Sequence, residues 1–93
     1  MSDLNPRAAL VASATAVALH RGGLSLCGSQ IAALAVALER LPRLAVGDRL
    51  AVLMGPVGDV ISARLDADEF AFDRARDALQ RAMCTYWTER MVA

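Results

Sequence analysis

The chain has 93 residues, of which 56% are apolar, and its ten arginines balance ten acidic residues beside a single histidine and no lysine. This length suits one domain, so we expect a single helical domain over residues 1–93. Zero net charge excludes a general electrostatic attraction to nucleic acid or to an anionic membrane, and few side chains are reactive enough for catalysis. Nineteen residues are alanine, the best helix former, so the composition favours packed helices.

The charge-free run at residues 8–19 is too short to cross a membrane, because spanning takes about 18 residues or more. The sequence Ala16-Val17-Ala18 has the form of a signal cleavage site, but Asp3 and the alanine-rich run before it argue against a secretory signal. We therefore expect a cytoplasmic protein with no membrane partner, in which Cys27 and Cys84 are reduced.

The first helix is predicted to begin at Asn5, a favourable N-cap residue, with Pro6 at the first helical position. Gly22 and Gly23 are expected to end it, with Gly22 in the left-handed conformation. The apolar stripe of this helix has the spacing that buries one helical face. It consists of Leu10, Val11, Ala14, Val17 and Ala18.

A second helix is predicted to begin between Ser25 and Ser29 and to stop before Pro42. Apolar side chains recur along it every three or four residues, which indicates one buried face. The members of this face are Cys27, Ile31, Leu34, Ala35, Leu38 and Leu41.

The middle of the chain, residues 44–65, allows two interpretations. One places a cap at Asp48 and a short helix that ends at Gly55-Pro56, followed by a second short helix. The alternative is a β-hairpin at about residues 49–65, which is marginal unless helices cover one of its faces. The helical interpretation is preferred, so the predicted fold is mainly α, a small bundle of three to five helices, with an α+β fold as the alternative.

The last helix is predicted over residues 67–90. Asp66 and Glu69 have the spacing of a capping box, in which each side chain would accept from the backbone amide of the other. Asp77 and Arg81 form a favourable pair four residues apart. The apolar stripe of this helix consists of Phe72, Ala75, Leu79, Met83 and Tyr86, with Arg76, Ala82 and Trp87 beside it.

A chain this short cannot bury so much apolar surface alone, so we expect a homodimer and a protein partner. The last helix would bind the partner by laying its apolar face into a groove, with its acidic flank setting the orientation. Trp87 is the favoured contact. The predicted function is that of a small, non-catalytic, bacterial-type adaptor or regulator. Its predicted partner-binding residues are Phe72, Asp73, Asp77, Leu79, Met83, Tyr86 and Trp87.

A helix-turn-helix regulator that binds DNA is the less favoured alternative. Residues 24–38 have some likeness to the first helix of such a motif, but the second helix would start near residue 46 with Arg49 as its only basic side chain. DNA binding would need a basic surface that Arg40, Arg43 and Arg49 form across a dimer.

Catalytic and cofactor motifs are weak in this sequence. His20 and Cys27 are the sole candidates for a base and a nucleophile, and no third orienting group is evident. Gly23–Ser29 has the glycine spacing of a phosphate loop, but Ser29 stands where that loop needs lysine. We expect no enzyme activity, no cofactor and no metal site.

Overall fold

The computed structural model describes the backbone of residues 5–92 and the side chains of residues 5–89. This part of the chain holds no strand, so the predicted helical bundle is confirmed and the β-hairpin alternative is wrong. A short 3-10 turn, Leu24–Leu26, precedes the second helix. The helices are α1 (Pro6–Leu19), α2 (Gly28–Arg40), α3 (Ala51–Leu65) and α4 (Glu69–Val92).

Each helix packs against two others. α1 lies between α2 and α4, and α3 contacts α4 and α2. α4 runs antiparallel to α1, since Gln80 and Arg76 of α4 reach the end of α1 while Trp87 lies near Thr15. The core is entirely apolar in side-chain character, with no buried charged residue among those described. Its largest fully buried side chains are Phe72, Leu10, Ile31, Leu34, Leu50, Leu53 and Leu79.

The start of α1 agrees with the prediction, because Asn5 Oδ1 accepts from the Arg7 amide at 2.9 Å. The predicted end at Gly22 is wrong: the helix stops at Leu19, and His20 has extended backbone. Gly22 is not left-handed; glycine is needed there for space, since a Cβ would lie 2.7 Å from the Leu26 side chain.

Side chains of α4, rather than a glycine turn, satisfy the carbonyls at the end of α1. Gln80 Nε2 donates to the Ala18 carbonyl at 2.7 Å, and Arg76 donates to the carbonyls of His20 and Gly22. Residues of another helix satisfy this helix end, so the neighbouring sequence carries no sign of it. For that reason the predicted end of α1, at Gly22, lies three residues beyond the observed end at Leu19.

α2 begins within the predicted window and ends at Arg40, where Leu41 becomes extended before Pro42. Ile31 and Leu34 are buried as expected. The rest of the stripe differs from the prediction, because Ala37 is in the core, Ala35 is half-buried, and Leu38 and Leu41 are partly buried against the core.

α3 continues through Pro56, so the prediction of two short helices is wrong. Proline in a helix interior costs about 3 kcal/mol, because it cannot donate to the carbonyl four residues earlier. The cost is outweighed by burial of Leu53, Val57 and Val60, each contributing about 1.5–3 kcal/mol. These positions repeat every three or four residues across Pro56, and that helical spacing was overlooked when a break at Gly55-Pro56 was predicted.

The turn between α3 and α4 is closed by Ala67, which lies in the left-handed region with φ 52°. The Ala67 amide donates to the Arg64 carbonyl at 3.1 Å, and the Asp68 amide to the Ala63 carbonyl at 3.0 Å. The predicted capping box of Asp66 and Glu69 is not the cap of this helix. Asp68, not Asp66, caps α4 by accepting from the Ala71 amide at 3.0 Å.

Asp48 joins the connection between α2 and α3 to the first turn of α1. Its carboxylate accepts from the Arg7 guanidinium at 2.7 and 3.0 Å and from the Leu50 amide at 2.9 Å. The Arg7 hydrogen bond, then the Leu50 amide, lower the pKa of Asp48 from 3.8 to about 2. The predicted cap at Asp48 is wrong, because the N-cap of α3 is Leu50 and no side chain caps this helix. Asp48 instead holds the turn before α3 and joins it to α1.

The low pKa of Asp48 predicts a loss of stability in acid. The ionised Asp48 carboxylate contributes its full share of folding stability above about pH 4, and this contribution is lost progressively as the pH falls through about 2. We expect Asp48→Asn to lower the Tm at neutral pH and to match the parent protein near pH 2. Thermal unfolding followed by circular dichroism measures this, with the exposed Asp59→Asn as control. If the Tm of Asp48→Asn differed from that of the parent by the same amount at every pH, the lowered pKa of Asp48 would be contradicted.

Candidate protein-binding groove between the first and last helices

The outward surface of α1 carries small or apolar side chains and no charge from Ala8 to Leu19. Ala8, Ala12 and Ala16 are exposed, and Leu19 is 72% exposed at the end of the helix. α4 lies alongside this surface. The seam between the two helices is an open groove, the α1–α4 groove, which divides into two halves at Trp87.

The apolar half of the groove has a volume of about 620 Å³. Trp87 is 42% exposed there, across the seam from Leu19. The dominance of apolar atoms is typical of surfaces that bind another polypeptide. The lining residues are Thr15, Ala18, Leu19, Gln80, Met83, Cys84, Trp87 and Thr88.

The basic half of the groove has a volume of about 710 Å³ and lies near the start of α1. Among the described side chains that line it, Arg7 and Arg49 are the charged ones. Asp48 balances the charge of Arg7, whereas Arg49 is exposed. The other lining residues are Asn5, Ala8, Val11, Ala12, Thr15, Tyr86 and Trp87.

The Trp87 ring is held by the residue before it. Tyr86 is buried, and the centroids of the two rings are 5.3 Å apart at an interplanar angle of 82°, an edge-to-face contact. An aromatic side chain that is already positioned loses less conformational entropy when a partner covers it. Trp87 therefore presents a fixed apolar surface between the two halves of the groove.

The structure separates the predicted partner-binding residues into two groups. Asp73, Asp77 and Trp87 are exposed, and each aspartate forms an ion pair within α4, Asp73 with Arg76 at 3.2 Å and Asp77 with Arg81. The others form part of the chain's own core, with at most 6% exposure. These are Phe72, Leu79, Met83 and Tyr86.

Leu19, Arg7 and Arg49 belong to the groove but were missed in the sequence. Leu19 could have been found, because it is the one large apolar residue of α1 that falls off the buried stripe. Arg7 and Arg49 had no comparable signal. They come from distant parts of the chain, and tertiary packing brings them together.

His20 and Cys27 are not arranged as a base and a nucleophile. His20 Nδ1 accepts from the Gly22 amide at 2.9 Å, and the Cys27 sulfur lies 4.0 Å from the Gly22 carbonyl oxygen. Burial raises the pKa of the Cys27 thiol above its ordinary value, with Arg76 opposing the shift. A buried, protonated thiol is a structural side chain rather than a reactive one.

The segments of the predicted helix-turn-helix are separated by a ten-residue connection, residues 41–50, between α2 and α3. Along α3, the helix that would enter a groove of DNA, Arg64 is the single basic side chain and Asp59 is exposed. Arg40, Arg43 and Arg49 are all exposed near the opposite end of α3 from Arg64.

Among the described side chains, residues 5–89, no three histidine, cysteine or acidic groups gather where they could hold a metal ion. Each helix in the described part of the chain is too short or too polar to traverse a bilayer. The chain matches no protein-family model, no curated protein and no solved structure.

Proposed function

We propose that this chain is a small, non-catalytic adaptor or regulator that acts by binding protein along the α1–α4 groove. The observation that carries the proposal is the position of Trp87. It is a half-exposed tryptophan in edge-to-face contact with Tyr86, and it lies where the apolar half of the groove meets the basic half. Tryptophan is among the residues that most often dominate the energy of protein interfaces.

The proposal changes how α4 takes part in binding. Its main stripe already packs in the core, so α4 contributes one wall of a groove rather than a helix that inserts into a partner. The opposite wall is α1, which carries no charged side chain from Ala8 to Leu19. An apolar segment can therefore cover this wall without burying an unpaired charge. The volume of each half is within the range of sites that hold a side chain or ligand.

The test is a pair of substitutions on the two walls, Trp87→Ala and Leu19→Ser. Both side chains are substantially exposed, so we expect the fold to survive, whereas replacing buried Met83 would also lower stability. We expect a loss of affinity for any bound protein of about 30-fold or more, because truncating a tryptophan at the centre of an interface typically costs about 2 kcal/mol or more.

Val36→Ser is the matched control. Val36 is an exposed apolar residue, 48% accessible, on α2 and away from the groove. Two quantities are measured for the parent, the groove variant and the control: the native mass of the purified protein, and the proteins it captures from an extract of the source cell. The variants are compared once circular dichroism shows that their helicity is equal. Equal masses and equal capture for the groove variant and the control would show that the groove is not a binding surface.

A further inference from the structure

A second exposed apolar feature lies at the connection between α3 and α4. Leu65 is 80% exposed and Phe70 is 79% exposed, and the residues between them include exposed Asp66, Asp68 and Glu69. We name this segment, Leu65–Phe70, the acidic turn. Leu65 and Phe70 flank the three carboxylates in the sequence, so the turn exposes apolar and acidic side chains to a partner.

The acidic turn and the basic half of the groove are complementary. The turn offers carboxylates beside Leu65 and Phe70, and the groove offers Arg49 beside the rings of Tyr86 and Trp87. Opposite charges around matched apolar centres favour one orientation of docking and speed association. The chain as a whole is neutral, so two copies do not repel each other through net charge.

One chain cannot bring these two surfaces together. Phe70 and Trp87 lie at opposite ends of the same helix, 17 residues apart on α4, which corresponds to about 25 Å. The turn of one copy can therefore meet the groove of another copy only. Such a contact joins two different surfaces and leaves one groove and one turn uncovered at the ends.

We propose that this protein self-associates head to tail, with the acidic turn of one copy docked in the basic half of the α1–α4 groove of the next. The inference rests on the proposed function of the groove, and it names the occupant as a second copy. Phe70 packs against Trp87, and Asp66 faces Arg49. Each docked copy presents a new groove, so assembly continues beyond the dimer as concentration rises.

Two variants test the arrangement by complementation. The groove variant carries Trp87→Ala and Arg49→Glu, and the turn variant carries Leu65→Ser and Phe70→Ser. All four side chains are exposed or half-exposed, and circular dichroism checks that helicity is kept. Asp68 and Glu69 are left intact, because Asp68 caps α4 and Glu69 accepts from the Leu24 amide at 3.2 Å.

We expect the parent protein to form dimers and larger species in sedimentation velocity as concentration rises, and each variant alone to associate at least ~10-fold more weakly. An equimolar mixture should form a heterodimer and stop there, because the groove variant retains its turn and the turn variant retains its groove. Added salt should weaken the heterodimer, since charged groups face each other across it.

Three outcomes would overturn the inference, and they separate it from the proposed function. If the turn variant associates like the parent while the groove variant does not, the groove binds protein but the turn is not its occupant. If the parent is a monomer at all concentrations while the groove variant loses capture of another protein, the occupant is that protein. If both variants associate like the parent, the inference fails, and the proposed function fails with it when the groove variant also captures other proteins as the parent does.

Discussion

Phe72→Ala is expected to lower the free energy of unfolding by about 3–5 kcal/mol, because it empties a fully buried site in the centre of the bundle. A domain of this size has a total stability of about 5–14 kcal/mol, so the substitution removes a large part of it. The Phe72 ring also supports Arg76, whose guanidinium carbon lies 4.9 Å from the ring centroid. Urea unfolding followed by circular dichroism measures the change.

The matched comparison is Trp87→Ala on the same helix. Trp87 is half-exposed, so its loss should cost about 1 kcal/mol of folding stability while weakening binding. Should Phe72→Ala fail to fold, Phe72→Leu fills most of the site and is expected to cost about 1.5 kcal/mol or less. If Phe72→Ala kept the parental stability and lost only binding, Phe72 would be a partner contact, as the sequence pattern first suggested.

Arg76→Met is expected to lower the free energy of unfolding by about 2–3 kcal/mol. Arg76 donates to the carbonyls of His20 and Gly22 and pairs with Asp73, and its side chain is 18% exposed. Hydrogen bonds from a charged donor contribute about 1.5–3 kcal/mol to stability. Their loss also leaves the partly buried carbonyls of His20 and Gly22 without the Arg76 donor. Methionine retains the apolar stem, so the change isolates the guanidinium.

Two companion variants sharpen this result. Arg76→Lys keeps the charge but lacks the planar fork, so we expect an intermediate loss of stability. Arg74→Met changes an exposed arginine of the same helix and should have little effect. Amide hydrogen exchange of residues 20–27 provides the local readout, because these amides should exchange faster when the Arg76 hydrogen bonds to the His20 and Gly22 carbonyls are lost. Equal exchange and stability in the Arg76 and Arg74 variants would show that these hydrogen bonds do not stabilise the fold.

The helical stripes were predictable because burial follows a local repeat. Leu10 and Val17 on α1, and Phe72 and Leu79 on α4, occupy one face of a helix whatever that helix packs against. Pro42 and Asn5 act on their own neighbours, so the end of α2 and the start of α1 were also predictable. Pro56 misled the prediction, because the local cost of proline was outweighed by burial that depends on the rest of the bundle.

The groove was predictable only in part. Trp87 lay beside its stripe in the sequence, which indicated that it would be accessible. Met83 and Tyr86 lay on the stripe, and the same pattern serves a core residue and an interface residue equally well. Which of them a partner can reach depends on how completely α1 and α3 already cover α4, and a sequence repeat does not contain that information.

Local patterns were enough to establish a helical, charge-balanced chain, the buried faces of most of its helices and the position of Trp87 beside the main stripe. The end of α1, the passage of α3 through Pro56 and the set of residues that meet at the groove depend on contacts between helices. The difference has one physical reason. Propensity, capping and periodicity act over a few neighbouring residues, whereas the bonds of Arg76 to the end of α1 join groups more than fifty residues apart.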